Sequence, residues 1–522
     1  MTVNITQEMK SILKQLQNFI RENKWVLWIA VLSVLLSYGV CLSGEVIGID
    51  SEVNLNDADT FLKSWYSIGR FSLVFTKNLF GMRELNPAAA NMLMAVMMVL
   101  YGIFADFLFY VFSGNDRRMK IFYIIFPALF LTHPAYVQQY IFTVQAFEVA
   151  LAVLICLASV FCISKWALEG RKVFLIPGIL FMVWSFGSYQ AFVPFYMSAA
   201  LSVYLVYYFF HDGKEKNFYL KAAVSEAAAF FAAYFLYSLA VKAVIIWQEG
   251  FSFRGSYLEG QLLWSTESVS VCIGAIKHYI GEVLLGRNMC YTKTCFPFAV
   301  LVAGHLLYTW VKTKRKDYIL YAAAALVLFL SPFFLAFYQG KGILIRTQMS
   351  LPFAAAFFGA AAMAFLFSAR RKAAAAVTVL CLFFAVNQGT ASARALFSAK
   401  MTYENDKMTA EQLIVQMQLL DAAQPGQRVA MLGQYHPALP EAAGVRKESI
   451  GFSFFEWDFM TDVGVSERGT GFLKALGFPF EPAAPEEYTA AEVYGRNMPS
   501  WPRTGSVQKV GDVVVVKFSD EY

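Results

Sequence analysis

The chain has 522 residues, of which 58% are hydrophobic and only 15% charged, with a formal net charge of +6. A soluble domain carries roughly a quarter charged residues, so this composition excludes a soluble globular protein and indicates a polytopic membrane protein, mainly α-helical. No basic stripe with interleaved aromatics is present, which speaks against a nucleic-acid partner, and no C-x-x-C pair supports a zinc or thioredoxin-like site.

Near its start the chain reads MKSILKQLQNFIRENKW, which ends at Trp25. Ile12, Leu13, Leu16, Phe19 and Ile20 share one helical face; Lys10, Lys14, Arg21 and Lys24 take the other. Residues 1–24 therefore read as an amphipathic helix on the inner membrane surface, and not as a cleavable signal. The first apolar run, 25–43, is a span. It is followed by an outer loop, 44–87, in which Asp50, Glu52, Asp57 and Asp59 fall close together. Beyond them Phe61, Leu62, Trp65 and Tyr66, then Phe71, Val74 and Phe75, mark two short amphipathic helices lying in the interface. Asn56 or Asp57 is the N-cap.

Further apolar runs cover 88–112, 121–132, 140–163, 173–188, 190–210, 219–246, 296–311, 318–337, 347–368 and 373–388, which makes about eleven spans. The run at 121–132 is short and ends in THPAYVQQY, the pattern of a tilted or partly re-entrant segment. Basic residues fall on alternate loops: Arg117, Arg118 and Lys120; Lys165, Arg171 and Lys172; Lys214 and Lys216; Lys312, Lys314, Arg315 and Lys316; Arg370, Arg371 and Lys372. The short connections between them, THPAYVQQ and GSYQAF, carry neither Lys nor Arg. The positive-inside rule then puts the N-terminus in the cytoplasm and, with an odd span count, the C-terminus outside. Residues 25–388 form the membrane domain, with a second outer loop at 247–295.

After about residue 389 charges, Pro and Gly return to ordinary frequency. Residues 403–423 read as a helix with Leu413, Met417 and Leu420 on one face. RVAMLGQY (428–435) and DVVVVKF (512–518) read as strands, with GTGFLKALGF (470–479) a helix between them. Residues 389–522 are thus expected to form a small extracytoplasmic α/β domain.

Asp57 and Asp59 are explained by helix capping. Asp50 and Glu52, a D-x-E array directly after the first span, are the candidate catalytic acids, placed where a lipid-linked substrate presents its head. The stretch IDSE continuing to W-x-x-x-GRF resembles the first outer loop of bacterial O-antigen-modifying glucosyltransferases of the GtrII type, within the GT-C class of polytopic transferases. Asp50, Ser51, Glu52, Trp65, Gly69, Arg70 and Phe71 carry the resemblance. The multi-span body and the tail MPSWPRTGSV…GDVVVVKFS fit it more loosely. It implies a sugar, glucose, taken from a polyprenyl-phosphate donor, such as undecaprenyl phosphate, to a cell-surface polysaccharide. It also implies an essential acid in the first outer loop, which carries over to Asp50 first and Glu52 second.

Arg70, Arg287, Lys341 and Arg346 oppose the charge bias and are candidates for the donor phosphate, Arg346 at the outer start of the tenth span. Each of them also suits a headgroup anchor. His133, Gln138, Gln139, Gln145, Tyr189 and Gln190 lie at or near outer helix ends and suit a sugar-facing cavity, as they would also suit helix ends meeting water. Two acids lie within spans. Asp106 is near the inner end of its helix, where inner-loop bases are at hand, and Glu148 is about two turns below the outer surface, in reach of the same cavity as Gln145. The expected partners are the lipid bilayer, a polyprenyl-phosphate sugar and a surface glycan acceptor. No cofactor or metal is assigned; the metal requirement stays open. Cys290 and Cys295 either close a small disulfide or remain free thiols. The competing reading is a transporter or flippase of lipid-linked sugars, which would favour inverted repeats and midplane broken helices that the sequence does not display.

Overall fold

The structure, a computed structural model, describes residues 5–43, 46–211, 216–248, 261–293, 295–313, 318–366 and 371–521, with backbone alone at a few helix ends. Helix α1 (Ile5–Glu22) precedes α2 (Trp25–Tyr38). Three short helices follow, α3 (Ser51–Asn56), α4 (Ala58–Ser67) and α5 (Phe71–Leu79). The body contains α6 (Pro87–Phe112), α7 (Phe122–Thr132), α8 (Val137–Tyr140), α9 (Thr143–Glu169), α10 (Leu175–Ser188), α11 (Phe192–Phe210) and α12 (Lys216–Trp247). Then come α13 (Val269–Leu284), α14 (Cys295–Thr313), α15 (Tyr318–Leu330), α16 (Phe334–Gln339), α17 (Ser350–Leu366) and α18 (Arg371–Leu419). The C-terminal part adds β1 (Arg428–Leu432), α19 (Ser466–Ala475), β2 (Glu481–Pro482), α20 (Pro485–Gly495), β3 (Val507–Val510) and β4 (Val513–Lys517).

Among the described residues, eight helices are long and apolar enough to cross a membrane, and three apolar helices are shorter. The shorter ones, Lys172–Ser188, Phe296–Lys312 and Ser350–Ala364, fall on the runs expected as the fifth, eighth and tenth spans. The 14 residues of α10 reach about 21 Å against a hydrocarbon core of about 30 Å, which is why length alone does not make a crossing of it. The segment 121–132 is α7, with Pro127 inside it, continued through a turn at Pro134 into α8. Irregular backbone is tolerated there because the surrounding protein buries it. Of the inner-loop bases, Lys214, Lys314, Arg315, Lys316 and Arg370 lie outside the described residues, as do the side chains of Lys216, Arg371 and Lys372.

The α1 pattern forms a helix as expected; Phe19 is fully buried against Phe107, Tyr110 and Tyr123. The first outer loop holds three helices where two were expected. Asp57 caps α4 by accepting from Thr60 N at 3.0 Å. Asp59 does not cap; it pairs with Arg83.

The largest departure is α18. The last expected span and the helix expected from 403 are one continuous helix of 49 residues. The span expected to end at 388 continues through Gly389, a packing glycine: a Cβ there would lie 2.7 Å from Leu36 Cδ2. The boundary expected at 389 therefore falls inside a helix that ties α2 and α7 to the C-terminal part. Ser392 Oγ donates to Thr132 O at 3.0 Å, and Lys400 Nζ donates to Ser43 O at 3.1 Å.

The sheet has the order β2-β1-β4-β3, with β1 parallel to β2 and β4 and β3 antiparallel to β4. Both strands read from sequence are its central pair. Helices cover both faces, so their apolar runs are continuous instead of alternating. Ala430, Leu432, Val513 and Val515 face Tyr488 and Ala491 of α20. Val429, Met431, Val514 and Val516 share a core with Phe472 and Leu473 of α19. Gly469 lets α19 lie close on β1, since a Cβ there would meet Met431 Sδ at 2.3 Å.

Candidate active site

Asp50 precedes α3 in the left-handed region, with φ 72°, a conformation aspartate tolerates better than most side chains. Its carboxylate makes no cap hydrogen bond to α3 and points instead to Arg468 of α19. That guanidinium collects three carboxylates: Asp50 Oδ1 from Nη2 at 3.1 Å, Glu52 Oε1 from Nη1 at 2.7 Å and Asp458 Oδ2 from Nε at 2.6 Å. The Asp50 side chain is 37% exposed, whereas Glu52 retains 1%. Burial pushes the Glu52 carboxyl up to about 7, against the opposing attraction of Arg468. Asn56 Nδ2 donates to Gly471 O at 2.8 Å and fastens α3 to the same helix.

A second cluster forms where α5 meets α9 and the turn after α10. Arg70 stacks over the Tyr189 ring at 4.6 Å, and its Nη1 donates to Gln145 Oε1 at 3.5 Å. Its Nε is buried with no partner among the described residues. Gln190 Nε2 donates to Ile68 O at 2.6 Å, beside Gly69 with φ 79°. Arg70, Gln145, Tyr189 and Gln190, scattered over 120 residues of sequence, are thus brought together.

Glu148 is not open to a cavity through both oxygens. Its Oε1 pairs with Lys77 Nζ at 2.9 Å, with both side chains 1% exposed. Lys77 is not singled out by the sequence, although an unpaired acid in a span calls for a cation. Asp106 lacks the inner-loop base expected beside it: both carboxylate oxygens are buried without a partner among the described residues.

Of the remaining candidates, Gln138 and Arg346 meet at a hairpin at Lys447–Ile450. Gln138 Nε2 donates to Lys447 O at 2.5 Å, and its Oε1 accepts from Ser449 N at 3.1 Å. Arg346 Nη1 donates to Ser449 Oγ at 3.4 Å, and its guanidinium lies 5.0 Å from the centre of the Phe142 ring. It stands on a short 3-10 turn, Ile345–Thr347, and not on the tenth-span helix, because α17 begins only at Ser350. Glu448 accepts from Ile345 N at 2.8 Å, and burial raises its carboxyl. Arg287 pairs with Glu282 at 3.0 Å and, with Tyr279, Tyr291, Arg394 and Lys447, lines a cavity of about 870 Å³. His133 is buried, its Nδ1 accepting from Ala135 N at 3.2 Å and its Nε2 lying 3.4 Å from Thr292 Oγ1. Gln139 is fully buried with both amide atoms unpartnered among the described residues, and Lys341 is half-buried in the loop before Ile345. Cys290 is buried, while the Cys295 side chain lies outside the described residues, and the pairing question with it. Residues 249–260 of the second outer loop also lie outside them.

Sequence reasoning missed Asp458 and Arg468. A lone arginine in SERGTG of a tail helix carries no local signal of its partners Asp50 and Glu52, which are more than 400 positions away. Among the described residues no group of three or more His, Cys, Asp or Glu is placed to hold a metal ion.

No curated protein and no solved structure matches the chain. A family described as "Glucosyl transferase GtrII" matches residues 39–363, more than half of the chain. The match spans every site candidate from Asp50 to Arg346 and ends before Asp458 and Arg468. The chain therefore belongs to the GtrII glucosyl transferase family, a family of glycosyltransferases.

Proposed function

We propose that the protein transfers a sugar, glucose, from a polyprenyl-phosphate donor to a cell-surface glycan on the outer side of the cytoplasmic membrane. In this reading the N-terminus is inside, about eleven helices cross, and the C-terminal α/β part lies outside. The half-exposed Asp50 takes the proton of the acceptor hydroxyl, whose oxygen bonds to the anomeric carbon as the bond from that carbon to the donor phosphate breaks. The phosphate leaves as an anion, so the site needs cations more than a general acid. Arg70 is the first candidate to receive it, since its Nε is buried and without a partner among the described residues while its guanidinium lies over the Tyr189 ring. Glu52 sits behind Asp50 and shares its cation.

The observation that carries this reading is the Asp50–Glu52–Arg468 cluster directly after the first apolar helix, in a chain of glucosyl transferase family. The test is transfer by purified protein in detergent, with radiolabelled polyprenyl-phosphate glucose and a surface-glycan acceptor. Label in the glycan without any membrane gradient is expected. Failure of transfer, together with movement of the lipid-linked sugar across sealed vesicles, would establish the transporter reading instead.

A further inference from the structure

Arg468 lies outside the segment that matches the family, yet among the described residues it is the cation that touches both acids of the first outer loop. Its side chain is 19% exposed, and each of its three nitrogens faces a different carboxylate. Helix α19 is held at this spot from two sides. Asn56 of α3 grips Gly471, and Ser466 Oγ accepts from Met431 N of β1 at 2.9 Å. The guanidinium is therefore aimed by a helix fastened both to the C-terminal sheet and to the loop it serves.

We propose that Arg468 is a positioning residue for the transfer reaction, through which the docked C-terminal part keeps the Asp50–Glu52 pair aimed and its negative charge compensated. This rests on the reading of Asp50 as the base. Two carboxylates two residues apart repel each other when both are charged, and Asp458 adds a third negative charge. One planar fork offsets this repulsion while fixing the direction of each acid, which a point charge cannot do for three partners at once. The charged groups facing the pair are Arg468 and, across it, Asp458; α4 and α9 also pack on α3 but bring no ion pair to it among the described residues. Without the cation, the pair retains a proton to higher pH. A base must be unprotonated to act, so the acid limb of the rate profile moves upward in pH.

The experiment is the pH dependence of kcat and KM for wild type, Arg468→Gln, Arg468→Lys and Asp50→Asn in detergent. Arg468→Gln is expected to lose about tenfold or more in kcat at pH 7 and to recover part of it as pH rises, with KM for donor within about threefold of wild type. Arg468→Lys is expected to lie between the two, its acid limb shifted less. If Arg468→Gln fails to fold, the displaced limb of Arg468→Lys decides alone. A wild-type profile in the folded variants, or a loss equal at every pH, overturns the proposal. Full activity in Asp50→Asn sinks the base assignment itself, and the proposal with it. An inactive Asp50→Asn beside an unshifted Arg468 series removes only the role of Arg468.

Discussion

Lys77 and Glu148 meet at 2.9 Å with both side chains almost wholly withdrawn from the surface, joining α5 of the first outer loop to the long helix α9. Lys77 Nζ also donates to Met82 O at 3.4 Å and lies 6.0 Å from the centre of the Trp65 ring. A buried pair of this kind is costly to break from one side, because the partner keeps its charge without compensation. Lys77→Met should therefore destabilise the protein by about 3–5 kcal/mol. The double variant Lys77→Met with Glu148→Leu should regain most of that loss. Thermal unfolding in detergent of the two single variants and the double variant measures the coupling; additive losses would show that the pair is not interacting.

Asp50→Asn should abolish transfer while the protein still folds, since shape is kept and only the proton acceptor is lost. Glu52→Gln should be milder, because Glu52 is buried while Asp50 is the more exposed of the two acids. Initial rates with equal amounts of folded protein check the order; a dead Glu52→Gln beside an active Asp50→Asn would reverse the two roles.

Glu52 also makes stability depend on pH. Its folded carboxyl is raised to about 7 by burial, above the usual value near 4.3 for an unfolded chain. The folded state thus holds the proton that the unfolded state gives up. The Glu52 contribution is fully present below about pH 4, is lost as pH rises toward 7, and is constant above that. Melting temperatures taken from pH 4.5 to 8 should fall through that window in wild type. Glu52→Gln should flatten this part of the curve and be no less stable than wild type at pH 8.

The donor phosphate separates two arginines. Arg70→Ala should reduce transfer at saturating donor by about ten- to a hundredfold, the loss of a charged hydrogen bond of about 1.5–3 kcal/mol. Arg70→Lys should restore little, since stacking on Tyr189 and the planar fork both go. Arg346 donates to Ser449 and lies against Phe142, so Arg346→Ala should loosen the hairpin as well as any phosphate contact. Wild-type rate and donor affinity in Arg70→Ala would move the phosphate site to Arg346 or Arg287.

Gln138 bonds to the hairpin through both ends of its amide. Gln138→Ala should cost about 1–3 kcal/mol locally and expose the segment around Lys447 to trypsin. Unchanged cleavage rates at Arg446 and Lys447 would show that Glu448 and Arg346 hold the hairpin without it.

Composition and periodicity by themselves determined the membrane class, the apolar helices, the central strands β1 and β4 and the acids after the first span. These follow from local rules: a lipid-exposed helix must be apolar over its length, and a strand covered on both faces must be apolar on both. The pattern W-x-x-x-GRF carried the family. Tertiary structure alone decided which charged and polar side chains meet. Lys77 and Glu148, Arg70 and Gln145, and Arg468 with Asp50 and Glu52 are each separated by 70 to more than 400 positions, and pairing over such distances has no sequence period. Gly389 shows the same limit from the other side. The return of charges, Pro and Gly after about residue 389 reads as a domain boundary, yet α18 runs unbroken through Gly389 into the C-terminal part, with Leu36 packed where a Cβ would stand.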